Sequence, residues 1–280
     1  MTRLLFAAGI LALSLLLNGC GSSETTGSGS AEQRFNHAKE LYDDGDYVDA
    51  YNEFRIVTLQ FSGSAFASDA QFYLGECRYT RGEYILAVFE YQQLRRNYPA
   101  SLRIPEAQYK LGMSYYMLSP KSVLDQQYTR KAIDEFQSFV EYYPGNEHAS
   151  DADLKIRELT TKLARKQIQT ARLYATMGYS KAALFYYDDV IERYHDTEFG
   201  PLAYVEKAEY LLQRKKYRDA DAVISKFIEL YPNNVLRGRA DQIKEEIGRQ
   251  PQSPSGSVSG GQTRSGEEHL QFDTTQKSIH

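Results

Sequence analysis

The chain has 280 residues, of which 42% are hydrophobic and 25% are charged, and these proportions are ordinary for a globular protein. Its 33 Lys and Arg residues face 37 Asp and Glu residues, which gives a formal net charge of −4. This balance argues against nucleic acid as a partner, because domains that bind nucleic acid usually present a basic face.

The N-terminal residues have the pattern of a secretory signal. Arg3 precedes fourteen uncharged residues, 4–17, fewer than the roughly 20 apolar residues that a membrane-spanning helix needs. The following LNGC at 17–20 resembles the lipobox of bacterial lipoproteins, in which the cysteine is acylated and becomes the new N-terminus. The resemblance implies a signal peptide at residues 1–19 and a lipid anchor on Cys20. The alternative is an ordinary cleaved signal with an incidental cysteine.

Residues 20–30 are expected to be the lipidated cysteine and a flexible tether, because a Gly- and Ser-rich segment buries too little apolar surface to order itself. If Cys20 carries lipid, only Cys77 remains of the two cysteines, and no intramolecular disulfide can form. Cys77 lies in a helical pattern, which favours the role of a small buried apolar residue.

Five stretches of the chain repeat one pattern of apolar residues. Each contains Ala, a bulky residue four positions later, an apolar residue three further on, and an aromatic residue four beyond that. These offsets place all four side chains on one face of a helix. The sets are Ala50/Phe54/Val57/Phe61, Ala87/Tyr91/Leu94/Tyr98, Ala132/Phe136/Phe139/Tyr143, Ala183/Tyr187/Val190/Tyr194 and Ala220/Ile224/Phe227/Tyr231.

Another helical pattern precedes each of these stretches, and three of those patterns end in Gly45, Gly82 or Gly178. The sequence therefore predicts five helical hairpins. They resemble tetratricopeptide repeats, in which small residues such as Gly75 and Gly112 let the two helices approach closely. The alanines lie 37, 45, 51 and 37 residues apart, whereas a plain repeat has about 34.

The excess spacing indicates two insertions. The first is a longer turn in the third repeat, around residues 119–127. The second falls within about 146–177, a breaker-free stretch that is either one long helix or two helices in tandem.

The lipobox, the five hairpins and the placement of the insertions together resemble the BamD family of outer-membrane protein assembly factors, over roughly residues 31–247. The resemblance implies an all-α, right-handed solenoid. Repeats 1–3 would occupy residues 31–145, and a long connecting helix with repeats 4–5 would occupy residues 146–248. Residues 249–280, rich in Gly, Ser and Gln, are expected to form a disordered tail whose HLQF motif is a candidate docking peptide.

Paired aromatic residues occupy the inward-facing positions of the first helices in repeats 1–3, and they are absent from repeats 4 and 5. We expect a groove that receives an aromatic-bearing peptide. The alternative is that these residues form the hairpin core. The core is favoured for the two phenylalanines, whereas the hydroxyls of the tyrosines favour a partly solvated groove. The family resemblance implies that the groove meets the sorting signals of unfolded outer-membrane proteins. The residues are Phe35, Tyr42, Phe72, Tyr79, Tyr109 and Tyr116.

The resemblance also implies that the C-terminal half docks the periplasmic domains of the barrel-inserting subunit. Candidate contacts are Arg172 and Arg193, since the planar guanidinium of arginine can bond a carboxylate bidentately. For Arg193, in the stretch ERYHDTE, the alternative is a solvated surface position.

The sequence does not favour an enzyme. The five histidines lack the spacing of metal ligands, and no Gly-rich phosphate-binding loop follows a strand. We therefore expect no catalytic residue, metal or cofactor. The predicted function is a scaffold of the barrel-protein assembly complex, anchored by lipid to the outer membrane and facing the periplasm. The alternative is a repeat lipoprotein that acts as an adaptor in envelope division or peptidoglycan synthesis.

Overall fold

The computed structural model describes residues 29–250, which form eleven α-helices joined by turns. The predicted signal peptide, Cys20, most of the predicted tether and residues 251–280 lie outside the described residues. The helices are α1 (Ala31–Asp43), α2 (Tyr47–Gln60), α3 (Ala67–Thr80), α4 (Tyr84–Asn97), α5 (Ile104–Leu118), α6 (Gln127–Tyr142), α7 (Ala149–Thr176), α8 (Ser180–Arg193), α9 (Phe199–Gln213), α10 (Tyr217–Leu230) and α11 (Arg237–Gly248).

Every helix packs against the helix before it and the helix after it, so that α1 to α10 form five successive hairpins and α11 closes the last one. The odd-numbered helix α9 also packs against α7 and α11. The predicted all-helical stack of five hairpins is confirmed.

The repeat pattern forms the core of each hairpin. All five pattern alanines are fully buried, as are the next two residues of every set except Tyr187, which is 3% exposed. Burying a side chain of this size contributes about 1.5–3 kcal/mol. The fourth position lies at the end of its helix and is only partly buried, apart from Tyr194 at 7% exposure.

Two glycines allow the helices of a hairpin to approach closely. A Cβ atom on Gly75 would lie 2.6 Å from Cδ1 of Tyr91, and one on Gly112 would lie 2.7 Å from Cε1 of Phe136. Real Cβ atoms do not approach ring carbons so closely, so a larger residue at either position must displace a fully buried ring.

Glycine also ends three of the first helices, as the sequence predicts. Gly45, Gly82 and Gly178 have φ values of 90°, 74° and 82°, in the left-handed region that glycine adopts without steric cost. In the fifth hairpin Lys215 takes this place with φ of 59°. The residue after it, Lys216, donates its N–H to the carbonyl of Leu211, which closes the helix end.

The two insertions have different structures. The stretch after the third hairpin is one continuous helix, α7, of 28 residues. The turn of the third hairpin is the loop 119–126, which replaces the three-residue turns of the other hairpins. Among the described helices, none combines the length and the apolar character needed to cross a membrane.

Candidate functional site

Three half-buried tyrosines lie on α1, α3 and α5 at intervals of 37 residues, and a lysine ammonium group lies over each ring. The pairs, with the distance from Nζ to the ring centroid, are Lys39/Tyr42 (5.4 Å), Lys110/Tyr79 (5.0 Å) and Lys155/Tyr116 (4.4 Å). We call these six residues the lysine–tyrosine ladder.

Two of the three pairs join neighbouring odd-numbered helices. Lys110 reaches from α5 to a ring on α3, and Lys155 reaches from α7 to a ring on α5. Lys39 also lies 5.2 Å from the ring centroid of Tyr73 on α3. Because a cation over an aromatic face contributes about 0.5–1 kcal/mol at an exposed site, these contacts tie the first helices of the repeats to one another.

Glu76 lies at the centre of the ladder and is 8% exposed. Its Oε2 accepts a hydrogen bond from Nζ of Lys110 at 2.9 Å, and its Oε1 accepts one from the hydroxyl of the buried Tyr91. A buried carboxylate is stable only when it is paired and hydrogen-bonded, and both conditions are met here. Glu76 thereby fixes the ammonium group of Lys110 beside the ring of Tyr79.

The other two lysines of the ladder also have carboxylate partners on the same helix. Lys39 pairs with Asp43, and Lys155 lies 3.9 Å from Glu158. Glu158 in turn accepts a hydrogen bond of 2.8 Å from the hydroxyl of Tyr116. The ladder is therefore close to electrically neutral, and it offers ring faces, hydroxyls and ammonium groups rather than a bare positive charge.

The ladder tyrosines keep their protons at physiological pH. Burial, followed by the nearby charge of Glu76, raises the pKa of Tyr42 to about 12. Burial also raises the pKa of Tyr79 and Tyr116, with the hydrogen bond to Glu158 as the second cause for Tyr116. The Tyr42 and Tyr79 hydroxyls can therefore donate or accept a hydrogen bond to a bound chain, whereas the Tyr116 hydroxyl already donates to Glu158 and can only accept one.

Phe72 and Tyr109 do not line this face, which corrects the sequence prediction. Phe72 is 2% exposed and packs against Tyr91, so it belongs to the hairpin core, the alternative favoured from the sequence. Tyr109 is 9% exposed: His148 stacks on its ring at 4.3 Å, and its hydroxyl donates to Asp151 at 2.7 Å. Neighbouring side chains thus cover both rings, so neither offers a face to a peptide in this conformation.

Phe35 is half-buried and packs its ring against Phe54 at 5.5 Å and Phe66 at 5.4 Å. It therefore belongs mainly to the core of the first hairpin. Tyr73, Lys110 and Lys155 also belong to the face that carries the ladder and were not predicted from the sequence. The equal spacing of the three ladder tyrosines was a usable signal, whereas the two lysines reach the rings from the next odd-numbered helix and leave no pattern along the chain.

The two arginines of the C-terminal half differ in their availability. Arg172 on α7 bonds Glu206 on α9 through both arms of its fork, at 2.9 and 2.6 Å, so its donors are largely occupied. Arg193 has a side chain that is 65% exposed; it makes an ion pair of 3.3 Å with Asp189, one turn earlier on α8, and its guanidinium lies 5.6 Å from the ring centroid of Tyr194. Of the two, Arg193 has donors that an outside carboxylate can reach.

Arg193 lines a cleft of about 490 Å³ between α6, α7 and α8. Arg130 of α6 and Lys166 of α7 also line this cleft, together with one carboxylate, that of Asp134. Tyr194, 7% exposed, forms part of its floor. The cleft is thus cationic and suits an acidic group of a partner.

Comparison with known proteins identifies relatives along most of the chain. The model of the family YfiO, described as outer membrane lipoprotein, matches residues 28–216. The outer membrane protein assembly factor BamD of Rickettsia prowazekii is 27% identical over 236 residues, which cover 84% of this chain and 93% of that protein. BamD of Caulobacter vibrioides is 27% identical over 172 residues, covering 61% of this chain and 56% of that protein.

A solved structure of a TPR repeats protein from Bacteroides fragilis has a TM-score of 0.47 and 12% sequence identity, and the match covers 78% of this chain and 99% of that one. A likeness of this size carries no argument about function. The family match carries the assignment, because it spans more than half of the chain and includes the ladder. The chain therefore belongs to the outer membrane lipoprotein family YfiO.

Proposed function

We propose that the protein is a scaffold of outer-membrane β-barrel protein assembly, anchored through lipid on Cys20 and facing the periplasm. Membership of the outer membrane lipoprotein family and the assembly-factor names of its relatives support this function. The lipobox supports the anchor. A scaffold acts by binding, so we assign it no catalytic residue.

The N-terminal repeats bind unfolded barrel proteins through an aromatic-bearing segment. The observation that carries this proposal is the lysine–tyrosine ladder, with three half-buried rings at equal intervals along neighbouring helices. Half-exposed tyrosines offer large apolar faces, and they lose little side-chain entropy when a ligand covers them. Because the lysines already have carboxylate partners, the segment binds mainly through its rings and its backbone groups.

The C-terminal half docks the barrel-inserting subunit of the complex. Arg193 and the cleft beside it supply the donors, and a carboxylate of the subunit is the acceptor. Arg172 reaches the same partner only if it releases Glu206, so its contribution is smaller. The two partners therefore occupy different halves of the molecule.

The ladder is tested by the binding of a fluorescent peptide that ends in an aromatic residue. Replacing Tyr79 by Ala should weaken binding by about 5- to 150-fold, corresponding to the roughly 1–3 kcal/mol that a central aromatic contact contributes. Tyr142→Ala is the matched control, because that tyrosine is 69% exposed and lies on α6, outside the ladder. Equal affinities for the two variants would refute the groove.

The docking surface is tested by native pull-down from detergent-solubilised envelopes. Arg193→Glu should lose the barrel-inserting subunit, whereas Arg249→Glu, at a side chain that is 71% exposed at the end of α11, should retain it. Co-purification of division or peptidoglycan-synthesis proteins, without the barrel-inserting subunit, would instead support the adaptor alternative.

A further inference from the structure

The loop 119–126 is unusual among the turns between the two helices of a hairpin, because the other four contain three residues each. Repeat stacking does not need the extra residues. Gln126 organises them, although it is a polar residue and only 1% exposed. Its Nε2 donates to the carbonyls of Lys121 and Leu124, both at 2.9 Å, and its Oε1 accepts from Thr129 at 2.7 Å.

Two lysines of α7 fasten the loop from the other side. Lys162 donates to Oγ of Ser119 at 2.9 Å, and Lys166 donates to the carbonyl of Leu124 at 2.6 Å. The loop is therefore held in one conformation by both flanking helices. It nevertheless leaves Val123 69% exposed and Leu124 55% exposed, so a preformed apolar tip projects from this edge of the molecule.

A cleft of about 750 Å³ lies between this loop and α7. Lys121, Lys162 and Arg165 line it, against a single carboxylate, Glu158, which is already bonded by Tyr116. Within the described chain no carboxylate lies within 4.0 Å of the Lys162 ammonium group, and burial lowers the pKa of this lysine. An anion placed in the cleft would compensate the charge that burial destabilises.

Other charges near the cleft do not remove this excess. Glu198 lies 3.8 Å from Arg165, and both side chains are more than half exposed, so that pair is weak. Asp125 in the loop accepts the backbone N–H of Gln127 at 2.8 Å and thereby caps the start of α6. The cleft thus combines unpaired positive charge with an adjoining apolar tip.

The chain itself contains a segment of the complementary chemistry. Residues 267–273, EEHLQFD, carry three carboxylates, Leu270 and Phe272, and they lie outside the described residues. We propose that this segment docks in the cleft, with its carboxylates on Lys121 and Lys162 and its apolar side chains against Val123 and Leu124. The proposal is independent of the ladder and of the barrel-inserting subunit.

The intervening chain is long enough for this contact. Residues 249–266 span at most about 60 Å when extended. The helices α11, α9 and α7 pack side by side, with about 10 Å between neighbouring axes. Two such steps across the stack, combined with the length of α7, about 42 Å, place the cleft within about 50 Å of the end of α11. Covalent tethering makes the contact intramolecular, so its occupancy does not depend on protein concentration.

Zero-length carbodiimide cross-linking of the full mature chain, followed by mass spectrometry, tests the contact. Lys121 or Lys162 should join to Glu267 or Glu268 within one molecule, at a yield that does not depend on protein concentration. Lys226 is the control, because it is exposed on α10, which packs against the helix that precedes the segment. The proposal would be overturned if Lys226 cross-linked to the segment as efficiently as Lys121 and Lys162 do. It would also be overturned if the cross-links formed only at high protein concentration, as expected between two molecules.

Charge reversal provides a second test that leaves the folded core untouched. Glu267→Lys with Glu268→Lys should speed amide hydrogen exchange in residues 119–126 by up to about tenfold, as expected if the segment covers the loop about nine-tenths of the time in the unmodified protein. Adding Lys121→Glu should restore part of the protection. Unchanged exchange in the double variant would contradict docking.

Discussion

Between α1 and α7 the odd-numbered helices meet through lysines that lie over tyrosine rings, with one ion pair, Lys110–Glu76, beside them, whereas between α7 and α11 they meet through arginine forks on carboxylates. Arg172 bonds Glu206 at 2.9 and 2.6 Å, and Arg239 bonds Glu209 through two contacts of 2.5 Å. Fork bonds are directional and fix one geometry, while a cation over a ring tolerates sliding.

The difference supports the proposal that the two halves of one repeat architecture bind different partners. The N-terminal half keeps half-exposed rings that segments of varied sequence can cover, which fits the proposed binding of unfolded chains. The C-terminal half closes its corresponding face with internal ion pairs, and it offers the exposed Arg193 beside a cationic cleft. Such a surface suits one constant partner.

The two helices of a hairpin approach each other most closely at Gly75 and Gly112, in the N-terminal half. Enlarging one of these glycines should therefore have the largest effect on stability. Gly75→Ala places a methyl group against the buried ring of Tyr91 and should lower the free energy of unfolding by about 3 kcal/mol. Ala208 holds the corresponding position in the fifth hairpin, and Ala208→Gly should cost only about 1 kcal/mol. Urea unfolding measures both. A smaller cost for Gly75→Ala would show that the N-terminal hairpins are not more closely packed.

The C-terminal half should be sensitive to alkali through Tyr187, which is 3% exposed. Burial, followed by the charge of Glu206, raises the pKa of this tyrosine to about 12. Because the folded state holds the proton more tightly than the unfolded state, this contribution is complete below pH 10. It is lost as the pH rises towards 12, by roughly 2–3 kcal/mol. Tyr187→Phe should flatten the decline of stability over this range, and an unchanged slope would refute the assignment.

The turn of the fifth hairpin should be stabilised by glycine, the residue that three of the other hairpins have at the corresponding position. Lys215 adopts φ of 59°, which costs a side-chain-bearing residue about 1–2 kcal/mol. Lys215→Gly should therefore raise the melting temperature, with a net gain of about 1 kcal/mol after the entropy of glycine is subtracted. Lys216→Gly, at the next position, should lower it.

The smallest effect concerns the cations of the ladder. Lys155→Ala removes the ammonium group 4.4 Å from the Tyr116 ring and should weaken peptide binding by about 2- to 5-fold, corresponding to about 0.5–1 kcal/mol. Arg172→Ala should leave peptide affinity unchanged, although it breaks the fork on Glu206. A peptide titration in which Arg172→Ala weakened binding more than Lys155→Ala would contradict a groove in the N-terminal half.

The helices and their core were predictable from the sequence, because both depend on short-range periodicity. Ala87, Tyr91 and Leu94 lie four and three residues apart, and all three are fully buried. The glycine turns were predictable for a similar reason, since Gly82 ends its helix with a positive φ. Lys215 was not, because lysine has no preference for that conformation.

The ladder was only half predictable, because its remaining contacts join separate helices. The tyrosines appear in the repeat pattern, but Lys155 reaches Tyr116 from α7, which lies beyond an insertion. The burial of Tyr109 has the same cause, since His148 covers its ring from the start of α7. Neither contact follows from spacing along the chain.

Photo-cross-linking in intact cells tests most directly whether the two halves serve different partners. A benzoylphenylalanine at Met113, which lies on α5 between Tyr109 and Tyr116, should capture unfolded barrel proteins. The same residue at Arg193 should capture the barrel-inserting subunit. Capture of the same protein from both positions, or of the two partners in exchanged positions, would contradict the account.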